Sequence, residues 1–319
     1  RWFKEYQRNY FEVSAFTISN FRLKLPKAVV TSSCLAIAAT LLFVVNDAII
    51  MHIALQDIKF YHFIFYGTPA YLSVPIYLLC SGNFKVKMTS GNYTIPILRG
   101  LIYVPMPFLS FWALKHVSLP EFTTLTMAAP IFSIFFSVFV LKEHFNIFLT
   151  VSLSLGVVGV LLVVRPGFES FNIFFLIVLL NAFLISMTTV LVNKFDKIVS
   201  SEGYFVYGGI FVHGFSVLLF LFDPMVFNFK ILFLMVTASI FVNTAIFFLV
   251  LAFQKAQKFY GSVSCLNYLQ ILWSLIIGVL VFDQVFDVVM VVGAIFIVLS
   301  GILSVSAQAK QIEKITNTT

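Results

Sequence analysis

Two apolar hairpins decide the fold: residues 130–164 read PIFSIFFSVFVLKEHFNIFLTVSLSLGVVGVLLVV, and residues 271–305 read ILWSLIIGVLVFDQVFDVVMVVGAIFIVLSGILSV. They superpose without a gap at an offset of 141 residues, from residue 130 to residue 271, which places Glu143 opposite Gln284. Each hairpin holds two apolar runs that suit helices in a bilayer. Because any two apolar hairpins resemble each other to some degree, the offset alone leaves duplication and coincidence open.

The composition is that of a membrane protein. Of the 319 residues, 61% are hydrophobic and 10% are charged, and the mean hydropathy is +1.03. Soluble domains carry about 25% charged residues, so this chain has too few to cover a soluble globule. The net charge of +7 comes from Lys and Arg residues that lie mostly in short loops between apolar segments. It therefore indicates membrane topology, and we expect no nucleic acid partner.

Ten segments are apolar over a length that spans a bilayer. We predict helices at residues 28–50, 60–80, 93–114, 119–141, 147–165, 171–193, 203–222, 230–253, 262–282 and 287–306. Because five is an odd number, a second half of five helices would enter the membrane in the inverted direction, as in many transporters. The expected fold is an all-α membrane protein with ten transmembrane helices in two inverted five-helix repeats around a central cavity.

The basic residues orient the predicted helices. With both termini in the cytoplasm, all but four of the 20 Lys and Arg residues lie on the cytoplasmic side, as the positive-inside rule requires. The N-terminal segment suits an interfacial helix as well as a disordered basic tail, and it lacks the apolar run of a secretory leader. We predict a cytoplasmic segment at 1–27, a first repeat at 28–165, a second repeat at 166–306 and a cytoplasmic tail at 307–319, in the plasma (inner) membrane.

Polar residues inside the predicted helices are the candidate substrate-binding residues, because a polar group in hydrocarbon needs a partner or a water-filled cavity. Asp47 suits a substrate amine or a coupling proton, and equally the cap of a helix end. Arg99 suits an anionic substrate, and equally a side chain that extends to the cytoplasmic surface. The full set is Asn46, Asp47, Arg99, Tyr103, Trp112, Asn181, Asn243, Asn267, Tyr268, Gln270 and Trp273.

Most of these residues also have a structural interpretation. Asn and Gln often join helices by hydrogen bonds, as His213 would, and Trp112 and Trp273 suit apolar packing as well as stacking on a substrate ring. Pro105 and its neighbouring prolines predict a kink in the third helix, and Pro130 predicts one in the fourth. Small residues such as Gly159 and Gly293 predict close helix packing, either within the fold or at a homodimer seam.

Enzymatic signatures are absent from the sequence. It contains no GxxxxGK[ST] or HExxH motif, and no set of Ser, His and Asp can be assembled for nucleophilic catalysis. The three Cys residues form no CxxC pair, which argues against disulfides and metal clusters. We therefore expect no enzyme, no cofactor and no metal. A membrane enzyme or a receptor on a similar bundle is the alternative of another class, and a catalytic cluster would distinguish it.

The sequence resembles a known transporter family. The segments RG at 99–100, VLKE at 140–143 and VVRPG at 163–167, with YLQILWSLIIGVLVF from residue 268, have the order and spacing of the drug/metabolite transporter superfamily, EamA type. The resemblance runs from about residue 30 to residue 306. It implies ten helices in two inverted repeats around a central cavity, it implies translocation of a solute or metabolite, and it favours duplication over coincidence.

A narrower resemblance concerns the first helix. Asn46 and Asp47 are similar to the first-helix motif of the branch that includes bacterial S-adenosylmethionine carriers and animal organic-anion carriers. Met51 stands where that branch carries Lys, and Gln284 stands where the second repeat keeps Glu. Glu143 is expected to anchor a loop. The resemblance implies a secondary transporter that moves a small anionic or zwitterionic metabolite by alternating access, or an exporter of amino acids or amphipathic compounds.

Overall fold

The computed structural model describes residues 27–56, 58–88, 93–129, 131–132, 136, 147–164, 171–195, 200–225, 228–256, 265–285 and 287–316. These residues form helices joined by short loops, and none of them lies in a β-strand. The helices are α1 (Lys27–Ala54), α2 (Phe60–Cys80), α3 (Phe84–Met88), α4 (Thr94–Tyr103), α5 (Pro105–Leu114), α6 (Leu119–Thr126), α7 (Ile147–Val164), α8 (Phe174–Lys194), α9 (Ser201–Phe222), α10 (Phe229–Ala256), α11 (Leu269–Phe282) and α12 (Val288–Thr316), with a 3-10 turn at Cys265–Tyr268.

Five helical stretches are long and apolar enough to cross a membrane. They are Val30–Ala54, Phe60–Cys80, Thr94–Leu114, Glu202–Phe222 and Phe229–Leu249. Shorter apolar stretches occur in α7, α8, α11 and α12. Such helices keep their backbone groups paired in hydrocarbon, so the chain is an integral multi-pass membrane protein.

Four helices depart markedly from the predicted bounds. Within the predicted 119–141, α6 ends at Thr126 in a turn, and within the predicted 262–282 the 3-10 turn Cys265–Tyr268 precedes α11. The other two depart for local reasons. The third predicted helix divides at Val104, whose N–H donates to the Leu101 carbonyl at 3.2 Å, because Pro105 has no N–H to continue the ladder. The last helix runs to Thr316 instead of residue 306. Its end, AQAKQIEK, is polar but consists mostly of strong helix formers. Hydropathy therefore marks the membrane part of this helix and misses its polar extension.

Some predictions concern residues outside the described ranges. The N-terminal segment up to residue 26, Pro130 and Glu143 all lie there. The interfacial helix, the fourth-helix kink and the loop anchor proposed for these residues stay predictions.

The main helix contacts join the first half of the chain to the second. α1 packs along α10, α7 along α12, and α9 against both α2 and α4. Further contacts join α8 to α5 and α6, and α11 to α1 and α6. The two halves therefore interdigitate, and helices of both surround the middle of the bundle.

Glycines bring α7 and α12 into backbone contact. A Cβ built on Gly159 would lie 2.8 Å from the carbonyl oxygen of Gly293, and a Cβ on Gly293 would lie 2.8 Å from that of Gly159. Close approach of this kind is how helices associate in lipid. The small residues therefore serve packing within the chain, and a homodimer would have to use another face.

One end of the bundle is sealed by apolar side chains. The largest buried cluster gathers where α1, α5, α7 and α11 end and where α6, α8 and α10 begin. Ile53, Leu114 and Leu119 are fully buried there. This apolar cluster therefore closes that end of the helix bundle.

A capping box starts α6 at this sealed end. The Ser118 hydroxyl oxygen accepts from the N–H of Glu121 at 3.4 Å, and Glu121 Oε2 accepts from the N–H of Ser118 at 2.9 Å. The side-chain oxygen of Gln284 accepts from the N–H of Leu119 at 3.2 Å. Three backbone donors at the start of α6 are therefore satisfied by side chains, one of which comes from the loop after α11.

Removal of the Ser118 hydroxyl should destabilise the protein moderately. Loss of an N-cap costs about 1 kcal/mol, so Ser118→Ala is expected to lower the Tm of purified protein by a few degrees. Ser73→Ala is the control, because the exposed Ser73 hydroxyl bonds only to the Ala70 carbonyl of its own helix. Thermal unfolding followed by intrinsic fluorescence measures both variants. An equal Tm for the two would contradict a stabilising role of the cap.

Candidate functional site

Buried polar atoms without a partner mark the candidate site. In the part of the chain that the structure describes, side-chain atoms of this kind are Asn46 Oδ1, Arg99 Nε, Thr124 Oγ1, Thr126 Oγ1, Asn181 Oδ1 and Asn267 Oδ1. Most buried polar groups in proteins are hydrogen-bonded, so each exception calls for an explanation, such as a water or a ligand. Four of these six residues belong to the set that the sequence predicts.

The carboxylate of Asp47 has one polar neighbour and no described counter-ion. Asn46, which is 5% exposed, donates from Nδ2 to Asp47 Oδ1 at 3.1 Å, and Asn46 Oδ1 remains without a partner. Of the helices that contact α1, three (α5, α6 and α11) contain no Lys or Arg, and α10 carries Lys only near its ends. Asp47 is therefore an intramembrane carboxylate whose described surroundings supply no cation.

Arg99 lies in the contact between α4 and α9. Its Nη1 donates to the carbonyl oxygen of Tyr204 at 2.9 Å. Its guanidinium carbon lies 5.7 Å from the ring centre of Tyr103 and 5.5 Å from that of Tyr204. Two rings and one carbonyl hold the guanidinium in place, and Nε is left without an acceptor. The free Nε–H suits an oxygen of an anionic group.

Two further predicted residues join helices of different halves. Asn181 on α8 donates from Nδ2 to the hydroxyl of Ser110 on α5 at 2.7 Å. Trp273 on α11 donates from Nε1 to the hydroxyl of Thr40 on α1 at 3.2 Å. Thr40 lies seven residues before Asp47, which puts both on one face of α1.

The remaining predicted residues do not share one contact set. Asn243 bonds to the Ser239 carbonyl of its own helix at 2.7 Å. Tyr268 packs in a small apolar cluster with Ile271 and Ile297. Trp112 is 42% exposed and contacts the rings of Phe108 and Phe174, while Gln270 and Asn267 are half-buried. The structure therefore brings together Asn46 with Asp47 and Arg99 with Tyr103, and it leaves the others on separate contacts.

Sequence reasoning missed Thr124, Thr126 and Tyr204. A helical Thr usually bonds back to the carbonyl four residues earlier, as Thr123 does to Leu119 at 2.9 Å, so nothing in the sequence distinguishes its two neighbours. Tyr204 lies 105 residues from Arg99. Its role depends on the packing of α4 against α9, which the sequence does not reveal.

Two cavities lie at the apolar flanks of the bundle. One of about 740 Å³ lies between α5, the end of α4 and the second half of α9, and it is lined by Phe60, Leu101, Val104, Pro105, Phe108, Ile210, Phe211, Gly214, Phe215, Leu218 and Leu219. A second of about 280 Å³ lies between α1, α10 and α11. Neither is lined by a predicted substrate-binding residue. Among the described residues, no group of three His, Cys, Asp or Glu could hold a metal.

Interdigitated apolar helices with isolated polar groups between them define a multi-pass α-helical membrane protein. Residues 28–165 match the model of the EamA-like transporter family, so an EamA-like domain occupies this part of the chain.

Solved structures extend the fold comparison beyond that domain, and 24 solved chains match this one. A crystal structure of one such protein covers 88% of this chain and 98% of its own, with a TM-score of 0.59 at 18% identity. That likeness shows the fold alone. A comparison with curated proteins finds no match.

Proposed function

We propose that the protein is a secondary transporter that moves a small polar metabolite across the membrane by alternating access. The proposal includes ten transmembrane helices in two inverted repeats, at residues 28–165 and 166–306, with both termini in the cytoplasm and the carrier in the plasma (inner) membrane. Its first support is the EamA-like domain at residues 28–165. Its second is a described core of buried polar atoms without partners.

The pattern of helix contacts supports the repeat. In two repeats of five spans, each helix of the first repeat corresponds to the helix five spans later, and α4 and α5 together form the third span. The corresponding pairs are α1 with α8, α2 with α9, α4 and α5 with α10, α6 with α11, and α7 with α12. When each helix is replaced by its counterpart, the α1–α10 contact becomes the α8–α5 contact, and the α4–α9 contact becomes the α10–α2 contact. All four contacts are present in the structure. The α6–α8 and α11–α1 contacts exchange as well. Two inverted halves related by a twofold axis would give this pattern.

The offset of 141 residues also relates individual contacts. A Cβ on Gly159 would meet Ile297 at 2.8 Å, and a Cβ on Gly156 would meet Ser300 at 2.7 Å. Under this offset, Gly156 corresponds to Ile297 and Gly159 corresponds to Ser300. Exchange of the two repeats therefore converts the Gly159–Ile297 contact into the Ser300–Gly156 contact. The sequence offset and the helix packing therefore agree, which favours duplication over coincidence.

The unpartnered polar atoms carry the functional proposal. Five of the six lie on α1, on α6, on α8 and in the turn before α11, and α6 contacts α1, α8 and α11; the sixth, Arg99 Nε, lies on α4. Thr126 and Asn267 are moreover equivalent under the 141-residue offset. A pocket for a polar solute between the halves explains why both repeats keep polar groups that the protein itself does not satisfy.

Charge suggests the substrate class. Arg99 presents an Nε–H without an acceptor, and Asp47 has no described counter-ion. A charged group inside a membrane protein ordinarily marks a substrate or ion pathway. We therefore propose an anionic or zwitterionic substrate, such as a carboxylate or an S-adenosylmethionine-like compound. The second candidate is export of amphipathic compounds or amino acids, which the apolar cavity of about 740 Å³ favours.

A ligand-stabilisation screen tests the proposal. Purified protein in lipid nanodiscs is heated with amino acids, dicarboxylates, S-adenosylmethionine, apolar amines and uncharged sugars. A compound present at 100 times its Kd stabilises by about 2.7 kcal/mol, so a true substrate should raise the Tm by several degrees. Compounds that raise the Tm are then tested for uptake into proteoliposomes. Stabilisation by none of the polar compounds, together with no uptake, would contradict the proposed function.

A further inference from the structure

The helices α2 and α9 come from different halves of the chain and are joined at one end by a polar cluster around Asp223. Lys59 and Tyr61 both contact the Asp223 carboxylate, and His62 Nε2 donates to the Asp223 backbone carbonyl at 2.8 Å. Donation from Lys59 holds the pKa of the Asp223 carboxyl below its usual range, and the same contact raises the pKa of Lys59. The pair therefore stays ionised at neutral pH.

Aromatic and polar contacts continue through the membrane. The rings of Phe65 and Phe220 stack with centroids 3.8 Å apart and an interplanar angle of 4°. One turn further, Thr68 Oγ1 lies 2.9 Å from His213 Nδ1. The Thr68 hydroxyl also donates to the Ile64 carbonyl at 3.1 Å, so His213 donates to Thr68. This part of the interface therefore combines stacking with a hydrogen bond between the helices.

Tyr71 completes the membrane part of the contact. Its ring stacks on that of His213 with centroids 4.4 Å apart, and its hydroxyl donates to the Val206 carbonyl at 2.8 Å. A Cβ built on Gly209 would lie 1.9 Å from the Tyr71 ring. The glycine therefore provides the space for a tyrosine that bridges the helices, and any other residue at this position would displace the ring.

The opposite end of the pair is joined as well. Lys87 Nζ lies 2.9 Å from Glu202 Oε1, and Ser200 donates from its hydroxyl to the Lys87 carbonyl at 3.2 Å. The Tyr207 hydroxyl donates to the Met88 carbonyl at 3.0 Å. These groups tie α3, which follows α2, to the first turns of α9. Specific contacts therefore occur along the pair from one membrane surface to the other.

We infer that α2 and α9 stay joined through the whole transport cycle and form the fixed axis about which the two halves rearrange. Separation would leave the Tyr71 hydroxyl and the His213 Nδ1–H without acceptors in hydrocarbon, where no water replaces them. Sliding by one helical turn, 5.4 Å, would break the same contacts and both end clusters. Neither movement is compatible with the matched spacing of these groups.

The contacts that open and close must then lie elsewhere. The sealed end is held mainly by apolar side chains of α1, α5, α6, α8 and α10, which can part without unpaired polar groups. Its polar link, from the N–H of Leu119 to Gln284, lies at the end of the bundle, where water can replace either partner. Midway along their contact, α5 and α8 are joined by the hydrogen bond from Asn181 to Ser110. The inference thus divides the interface between the halves into a fixed α2–α9 axis and a movable remainder.

Reversible cross-linking tests this division. In a background with the native cysteines replaced by serine, a short reducible bis-thiosulfonate reagent links α2 to α9 at both ends, or α5 to α8 as the matched control. Uptake of radiolabelled glutamate, succinate and methionine is compared before and after reduction of each sample. The variants are Lys59→Cys with Asp223→Cys, Lys87→Cys with Glu202→Cys, and, for the adjacent ends of α5 and α8, His116→Cys with Asn172→Cys.

The two linkages are expected to differ strongly. Uptake through the α2–α9-linked protein should stay within about twofold of the reduced sample, and uptake through the α5–α8-linked protein should fall at least tenfold and return on reduction. Loss of uptake on α2–α9 linkage overturns the inference. Equal tolerance of both linkages overturns it too, because α2–α9 would then not be distinct from the remaining contacts.

The uptake assay rests on the proposed function, whereas distances between spin labels test the axis without any transport. Labels at lipid-facing positions of α2 and α9 (Leu72→Cys with Ile210→Cys) leave the interface intact. They should give one narrow distance population in nanodiscs, while labels on α5 and α8 (Phe108→Cys with Leu180→Cys) should give two. A second population for the α2–α9 pair overturns the inference. Absence of uptake in every sample would contradict the proposed function and leave the spin-label result to decide the axis.

Discussion

Replacement of Gly159 by leucine should abolish the folded protein or lower its Tm by roughly 6–12 °C. A Cβ at this position would already lie 2.8 Å from the Gly293 carbonyl oxygen and 2.8 Å from a side-chain carbon of Ile297. The carbonyl belongs to backbone and cannot rotate away, so α7 and α12 would have to move apart. Overpacking against backbone lies at the upper end of the usual cost, about 3 kcal/mol, and about 1 kcal/mol lowers Tm by roughly 2–4 °C in proteins of about 150–250 residues.

The control for this prediction is Gly214→Ala. Gly214 also lies inside an apolar helix, but a Cβ there would meet no atom within 4 Å. Because Ala is the better helix former by about 1 kcal/mol, this variant should keep or raise the Tm. Size-exclusion chromatography and thermal unfolding in nanodiscs measure both proteins. If Gly159→Leu folds as well as Gly214→Ala, the close α7–α12 contact does not stabilise the fold.

Helix positions could be predicted from the sequence because a bilayer permits few backbone conformations other than the helix. A long apolar run must form a helix to pair its backbone groups, and the predicted second helix, 60–80, is α2 as the structure has it. The predicted third helix is interrupted at Val104, because Pro105 has no N–H to continue the hydrogen-bond ladder. The polar extension of α12 to Thr316 escaped prediction because hydropathy detects membrane depth and not helix propensity.

The candidate site could be predicted from the sequence only in part. A polar residue in an apolar helix is visible in the sequence, which is how Asn46, Arg99 and Asn181 entered the predicted set. Whether such a group already has a partner depends on helices that are distant in sequence, such as the α9 carbonyl that binds Arg99. The roles of the predicted site residues therefore stay predictions, and the α2–α9 contacts could not be foreseen at all.

Asp47→Asn is expected to lower substrate uptake at least tenfold without loss of folded protein. The substitution preserves shape and keeps an oxygen to accept from Asn46 Nδ2, so it removes only the charge. Hydrogen bonds to charged groups contribute about 1.5–3 kcal/mol, which corresponds to a tenfold to hundredfold effect on substrate binding. An ionised carboxylate inside a membrane helix costs about 2.5–3.5 kcal/mol on insertion scales, so its removal should leave the Tm unchanged or raised. Uptake into proteoliposomes and thermal unfolding separate the two effects.

Opposite changes in stability and uptake distinguish a substrate or ion site from structural stabilisation. Asp283→Asn is the matched control, because Asp283 is exposed and in the left-handed conformation that Asn also tolerates; its uptake should be unchanged. Arg99→Gln should also lower uptake at least tenfold, but its Tm should fall as well, because the bond to the Tyr204 carbonyl is lost. A structural Asp47 would give a lower Tm with normal uptake. Normal uptake in Asp47→Asn and in Arg99→Gln would show that neither charge belongs to the transport site. Neutral amphipathic compounds would then be the favoured substrate class.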